Sequence, residues 1–131
     1  MIGLDTNVLV RYIMQDDAKQ AAKATKLIEG LTAQEPGFIT LVSVVELVWV
    51  LSSAYLLDRD QIVQALDVIL RSKQLVVDQA GHVLRALRAF GAGRADFADC
   101  LIERTAVAAG CAKTMTFDVA ASKTAGMTLI K

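Results

Sequence analysis

Residues 1–12 read MIGLDTNVLVRY: a short apolar run, an aspartate, then apolar side chains at helical spacing. Met1 to Leu4 is expected as a buried strand and Thr6 to Met14 as a short helix, with Asp5 at their junction. The same grammar recurs along the chain. Asp16 or Asp17 caps a helix reaching about Leu31, Phe38 to Leu41 is a second strand, and Ser43 opens an apolar helix through Leu56. Asp58 or Asp60 caps Gln61 to Ser72, Leu75 to Val77 is a brief strand, and Gln79 to Phe90 is helical. After a loop at Gly91 to Gly93, a helix from Ala95 to Ala109 ends at Gly110. Lys113 to Phe117, Val119 to Thr124 and Met127 to Ile130 close the chain as strand, helix and strand. This alternation predicts an α/β fold in three α/β/α layers, with a central parallel sheet of about four or five strands.

A length of 131 residues fits one domain over residues 1–131. At 54% hydrophobic and a mean hydropathy of +0.44, the chain can build a large core and keep apolar surface for a partner. Zero formal net charge neither demands nor excludes a nucleic-acid partner, because a metal ion or a local basic patch can handle phosphate. Cys100 and Cys111 lie too far apart along one helix to bridge, so reduced thiols and a cytoplasmic location are expected. Met1 opens a strand with no basic leader, so no signal peptide is expected. The longest apolar stretch, Leu47 to Leu57, is too short for a membrane span.

The acids carry the chemistry. Asp5, Glu46, the Asp96/Asp99 pair and Asp118 fall where an apolar run yields to a turn or helix start, or in a helix's opening turns. In an open α/β sheet such positions converge outside the carboxyl ends of the strands. Carboxylates with almost no histidine suit a hard cation, Mg²⁺ or Mn²⁺, and hence metal-assisted phosphoester chemistry. Each acid also has a plainer reading. Asp5 and Asp118 can cap helices. Glu46 can close a capping box on Ser43. Asp96 and Asp99 share a helix face and can complement the helix dipole. Glu103, one turn on, reads as a solvated acid paired with a base. Thr6, Asn7 and Thr116 are placed to support the acids by hydrogen bonding.

GLDTNVLVRY, SVVELVWVL, ADFADCLIERTAVAAG and TFD together resemble a PIN domain, and more narrowly a VapC-type ribonuclease toxin of bacterial toxin–antitoxin pairs. The likeness covers essentially the whole chain. It implies a parallel sheet flanked by helices, an Mg²⁺- or Mn²⁺-dependent ribonuclease, a homodimer and a cognate antitoxin. Asp5, Glu46, Asp99 and Asp118 match the family's four acidic positions, with Asp96 an extra acid and Asp99 favoured over it as metal ligand. On that reading Asp5 and Asp99 hold the principal cation, Glu46 and Asp118 complete its shell, and Thr6, Asn7 and Thr116 orient the ligands.

Arg11 and Arg94 can grip a phosphate or pair with a nearby acid. Lys19, Lys23 and Lys26 are spaced for one helix face, expected as a solvated surface. His82 lies away from the motifs, Cys100 is expected in the core, and so are Trp49 and Tyr55, whose helix can also line a dimer or antitoxin groove. Two other classes stay open. One is a phosphatase or phosphotransfer domain using Asp5 as nucleophile, though Asn7 stands where a dehalogenase-type phosphatase wants a second aspartate. The other is a non-catalytic interaction module.

Overall fold

The computed structural model describes residues 1–131 and resolves into two compact units, Met1–Asp78 and Gln79–Lys131. The first holds β1 (Ile2–Gly3), α1 (Thr6–Met14), α2 (Ala18–Glu29), β2 (Gly37–Ile39), α3 (Leu41–Ser53), α4 (Arg59–Arg71) and β3 (Leu75–Val77). Its strands form a parallel sheet in the order β1-β2-β3, with Ile2 opposite Gly37 and Phe38 opposite Val76. The second unit holds α5 (Ala80–Ala92), α6 (Phe97–Ala108), β4 (Met115–Thr116), α7 (Val119–Thr124) and β5 (Thr128–Leu129). Here β4 and β5 pair in parallel, Met115 opposite Thr128.

The expected α/β alternation with parallel strands is present. The five strands divide into ladders of three and two, where one central sheet of four or five was expected. The strands are short because helix caps cut them off. Asp5, Thr40 and Asp118 each begin a helix within two residues of a strand end. Met1 to Leu4 also departs from expectation. Ile2 and Gly3 are exposed because β1 is an edge strand, and of this run only Leu4 is buried.

Local chemistry explains most boundaries. Asp17, not Asp16, caps α2 by accepting from the Gln20 N–H at 3.0 Å. Asp58 and Gln61 form a reciprocal capping box at α4. Helix α3 starts at Leu41, two residues before the expected Ser43, because the Thr40 hydroxyl accepts from the Ser43 N–H at 3.1 Å. Leu41 is therefore helical and not the end of β2. Helix α5 runs on through Gly91 and Ala92, so the expected loop shrinks to the residues after it. Gly110 follows the end of α6 at φ +94°, a left-handed conformation that a side chain disfavours.

Helix α1 packs on α2 and α3, with Leu9, Ile28, Leu47 and Leu51 fully buried. Burying each such side chain stabilises the fold by about 1.5–3 kcal/mol relative to exposure. Gly37 is closely packed: a Cβ there would lie 2.8 Å from the side-chain methyls of both Leu4 and Leu31, which would have to shift. In the second unit α5 packs on α6, and Phe90 meets Phe97 edge to face at a centroid distance of 5.9 Å. No helix is long and apolar enough to cross a membrane.

Candidate active site

In the first unit, an open cleft of about 570 Å³ is lined by Asp5, Asn7 and Arg11 on one side and Glu46, Val50 and Tyr55 on the other. Asp5 stands at the N-cap of α1, two residues beyond β1. A capping carboxylate bonds the N–H of the second or third helical residue. Asp5 instead accepts from the adjacent Thr6 N–H, at 2.8 Å, and is exposed to the cleft. Thr6 is itself buried, which anchors that donor. Asn7 is exposed on the cleft wall.

Glu46 does not form the expected capping box with Ser43, because Thr40 has taken the cap. Its carboxylate is exposed and opens onto the same cleft as Asp5. Its apolar sequence neighbours turn to other faces of α3: Val44, Leu47 and Val48 inward, Trp49 outward at 68% exposure. Trp49 is thus not the core residue that its sequence setting suggests. Tyr55 is half-buried, and its hydroxyl donates to Asp16 Oδ2 at 2.6 Å.

Arg11 joins that network. Its Nη1 donates to Asp16 Oδ1 at 3.1 Å and to the Tyr55 hydroxyl at 3.1 Å, and its Nε to Gln20 Oε1 at 2.7 Å. Of the two readings of Arg11, pairing with a nearby acid is the one observed, on the wall of the cleft. The Tyr55 hydrogen bond is the main force holding Asp16 below the usual carboxylate range, and burial partly opposes it. Sequence reasoning missed this network, since Asp16 and Tyr55 lie 39 residues apart.

In the second unit, Asp96 occupies the N-cap of α6 but makes no side-chain capping bond. Asp99 sits in the first turn, half-buried. Its carboxyl is held above the usual range, first by burial and then by the charges of Asp96 and Asp118. Asp118 follows β4 and does cap α7, accepting from the Ala121 N–H at 3.1 Å. The Thr116 hydroxyl accepts from the Asp118 backbone N–H at 3.0 Å. Arg94 is exposed in the loop before α6.

Glu103 is buried, not solvated, although it is paired with a base: Arg104 grips both its oxygens, at 2.5 and 2.7 Å. His82 is half-buried beside Arg85, Cys100 is buried as expected, and both cysteines are free.

The acids are therefore gathered in two sets, Asp5 with Glu46 on one cleft, and Asp99 within the fields of Asp96 and Asp118. As the side chains stand, no group of three or more His, Cys, Asp or Glu is arranged to hold a metal ion. Chemically the donors fit a hard divalent cation. They are all carboxylate oxygens, and Asp99 carries a like-charge burden that a cation would relieve.

The family model for the PIN domain matches residues 2–127. The chain belongs to the PIN domain family, whose members are typically metal-dependent nucleases. No curated protein and no solved structure matches it.

Proposed function

We propose that this PIN domain, over residues 1–131, is an Mg²⁺- or Mn²⁺-dependent endoribonuclease, the toxin of a type II VapBC-like pair. Asp5, Glu46, Asp99 and Asp118 are its metal-binding and catalytic carboxylates, with Asp96 as an extra donor. One observation carries the reading. Asp5 and Asp96 hold N-cap positions yet neither caps its helix in the ordinary way. Thr40, Asp17 and Asp58 show that this chain caps helices properly where capping is the task. Asp5 and Asp96 keep carboxylate oxygens available for other work.

When bound, the cation would supply Lewis acidity, lowering the pKa of water and neutralising charge on the phosphoryl oxygens. The protein's share is to hold the donors. The Thr6 N–H fixes one oxygen of Asp5 and leaves the other open. The Ala121 N–H fixes one oxygen of Asp118 in the same way, and the Thr116 hydroxyl anchors its backbone N–H. Asn7 stands beside Asp5 to orient a bound water. Arg11, on the cleft wall, and Arg94 offer guanidinium N–H groups to a phosphate. Water adds to phosphorus, the bridging P–O bond breaks, and the leaving oxygen takes up a proton.

A cognate antitoxin, a homodimer and a cytoplasmic location complete the proposal, and the outward face of α3, with Val42 and Trp49, suits a protein partner. The PIN match favours this reading over a phosphotransfer domain or an inert interaction module. The test is cleavage of RNA by purified protein with Mg²⁺ or Mn²⁺. Asp5→Asn and Asp99→Asn should each lower the rate by more than about 100-fold, since losing even a supporting partner of a metal ligand costs 10–100-fold. Both variants should keep the wild-type circular dichroism spectrum. Full activity in either would remove that residue from the mechanism.

A further inference from the structure

Three clefts of the first unit are joined by shared walls. Asn7 and Arg11 line both the Asp5/Glu46 cleft and a groove of about 270 Å³ along α1 and α2. Lys23 and Leu27 line both that groove and a third hollow, of about 430 Å³, which also includes Lys26. The path has an apolar floor of Val8, Ala24 and Leu27 under a cationic rim. Leu27 is 41% exposed.

Lys19, Lys23 and Lys26 stand along one stripe of α2, at spacings of four and three residues. A helical rise spreads them over roughly 10 Å. All three are exposed, and none of them is a partner in the ion pairs Arg11–Asp16, Arg71–Asp67 and Arg104–Glu103. A solvated face needs neither a continuous path to the acidic cleft nor an exposed leucine among the lysines.

We propose that this path is the track for single-stranded RNA flanking the cut bond, with phosphates on Lys19, Lys23 and Lys26 and bases over Val8, Ala24 and Leu27. The proposal rests on the nuclease reading and adds where the substrate lies beyond the cleft. The cations draw the polyanion, the aliphatic floor accepts base faces without reading sequence, and Arg11 and Asn7 form the threshold to Asp5. Continuity with the cleft favours RNA over an acidic segment of a partner protein.

The test compares wild type with Lys19→Gln/Lys23→Gln/Lys26→Gln, binding a fluorescent single-stranded RNA of about a dozen nucleotides in EDTA. Because the lysines are exposed, the variant should keep its melting temperature. Binding should weaken by about tenfold or more at low salt, and the slope of log Kd against log salt should fall by about two, at 0.7 per lost phosphate contact. On long RNA with metal, KM should rise while kcat holds, and a dinucleotide substrate should be cut as before. Unchanged affinity, slope and KM in a variant that still cuts RNA would overturn the track and leave the nuclease intact. Wild type that neither binds nor cuts RNA would sink both. Intact RNA handling with lost capture of a co-expressed acidic protein would give the surface to that partner and overturn the proposal.

Discussion

Asp16 and Asp99 are aspartates near the starts of helices, and the molecule has pushed them in opposite directions. Asp16 lies between α1 and α2, where Tyr55 and Arg11 supply hydrogen bonds and positive charge, and its carboxyl is held low. Asp99 lies in α6, where burial and two neighbouring acids hold its carboxyl high. The first is satisfied within the fold and ties α1 to the end of α3. The second carries an electrostatic cost that a bound cation would lift. A carboxylate that the protein completes is architecture, whereas one left in deficit is available for a ligand.

The largest way to break this contrast is the loss of RNA cleavage in Asp5→Asn and Asp99→Asn. Asp16→Asn, by contrast, should keep most activity in the same assay. Next is metal stabilisation. Mg²⁺ or Mn²⁺ at a hundredfold excess over its dissociation constant should stabilise wild type by about 2.7 kcal/mol, read by thermal unfolding. Asp99→Asn should lose much of that gain, and a melting temperature indifferent to metal in wild type would argue that the acids serve the fold alone.

A pH series sharpens the contrast further. Asp99 has a folded-state value above its ordinary 3.8. Its contribution to stability is fully present below that ordinary value and lost as pH rises through the folded one. Metal-free Asp99→Asn should therefore melt above wild type at neutral pH, and the advantage should vanish in acid. Asp16 runs the other way. Its contribution is present above 3.8 and lost as pH falls through its depressed folded value. Tyr55→Phe removes the main cause of that depression, so its modest loss in melting temperature should appear at neutral pH and fade in acid. An equal loss at every pH would mean that the hydroxyl acts through packing.

Much of this was legible in the order of residues because it is local. Capping depends on side chains three positions apart, which is why Asp17, Asp58 and Asp118 are readable as caps, and why apolar spacing predicts α1, β3 and α7. The same locality misleads where two caps compete. Ser43 and Glu46 have the pattern of a capping box, but Thr40 starts the helix earlier and frees Glu46 for the cleft. Trp49 and Glu103 misread for a related reason. Helix α3 is apolar on most sides, so spacing does not tell which face is covered, and Glu103 is buried with Arg104 closing over both its oxygens.

The chain by itself determined the alternation of strands and helices, the acids at their junctions and the kinship with PIN domains. Neighbouring residues are enough to set those features. Tertiary structure alone decided that Asp16 is bound by Tyr55, that Asp99 is crowded by Asp118, and that Lys23 of α2 lines a groove sharing Asn7 and Arg11 with the cleft of Asp5. Burial and charge act through space, between residues that the order of the chain leaves far apart.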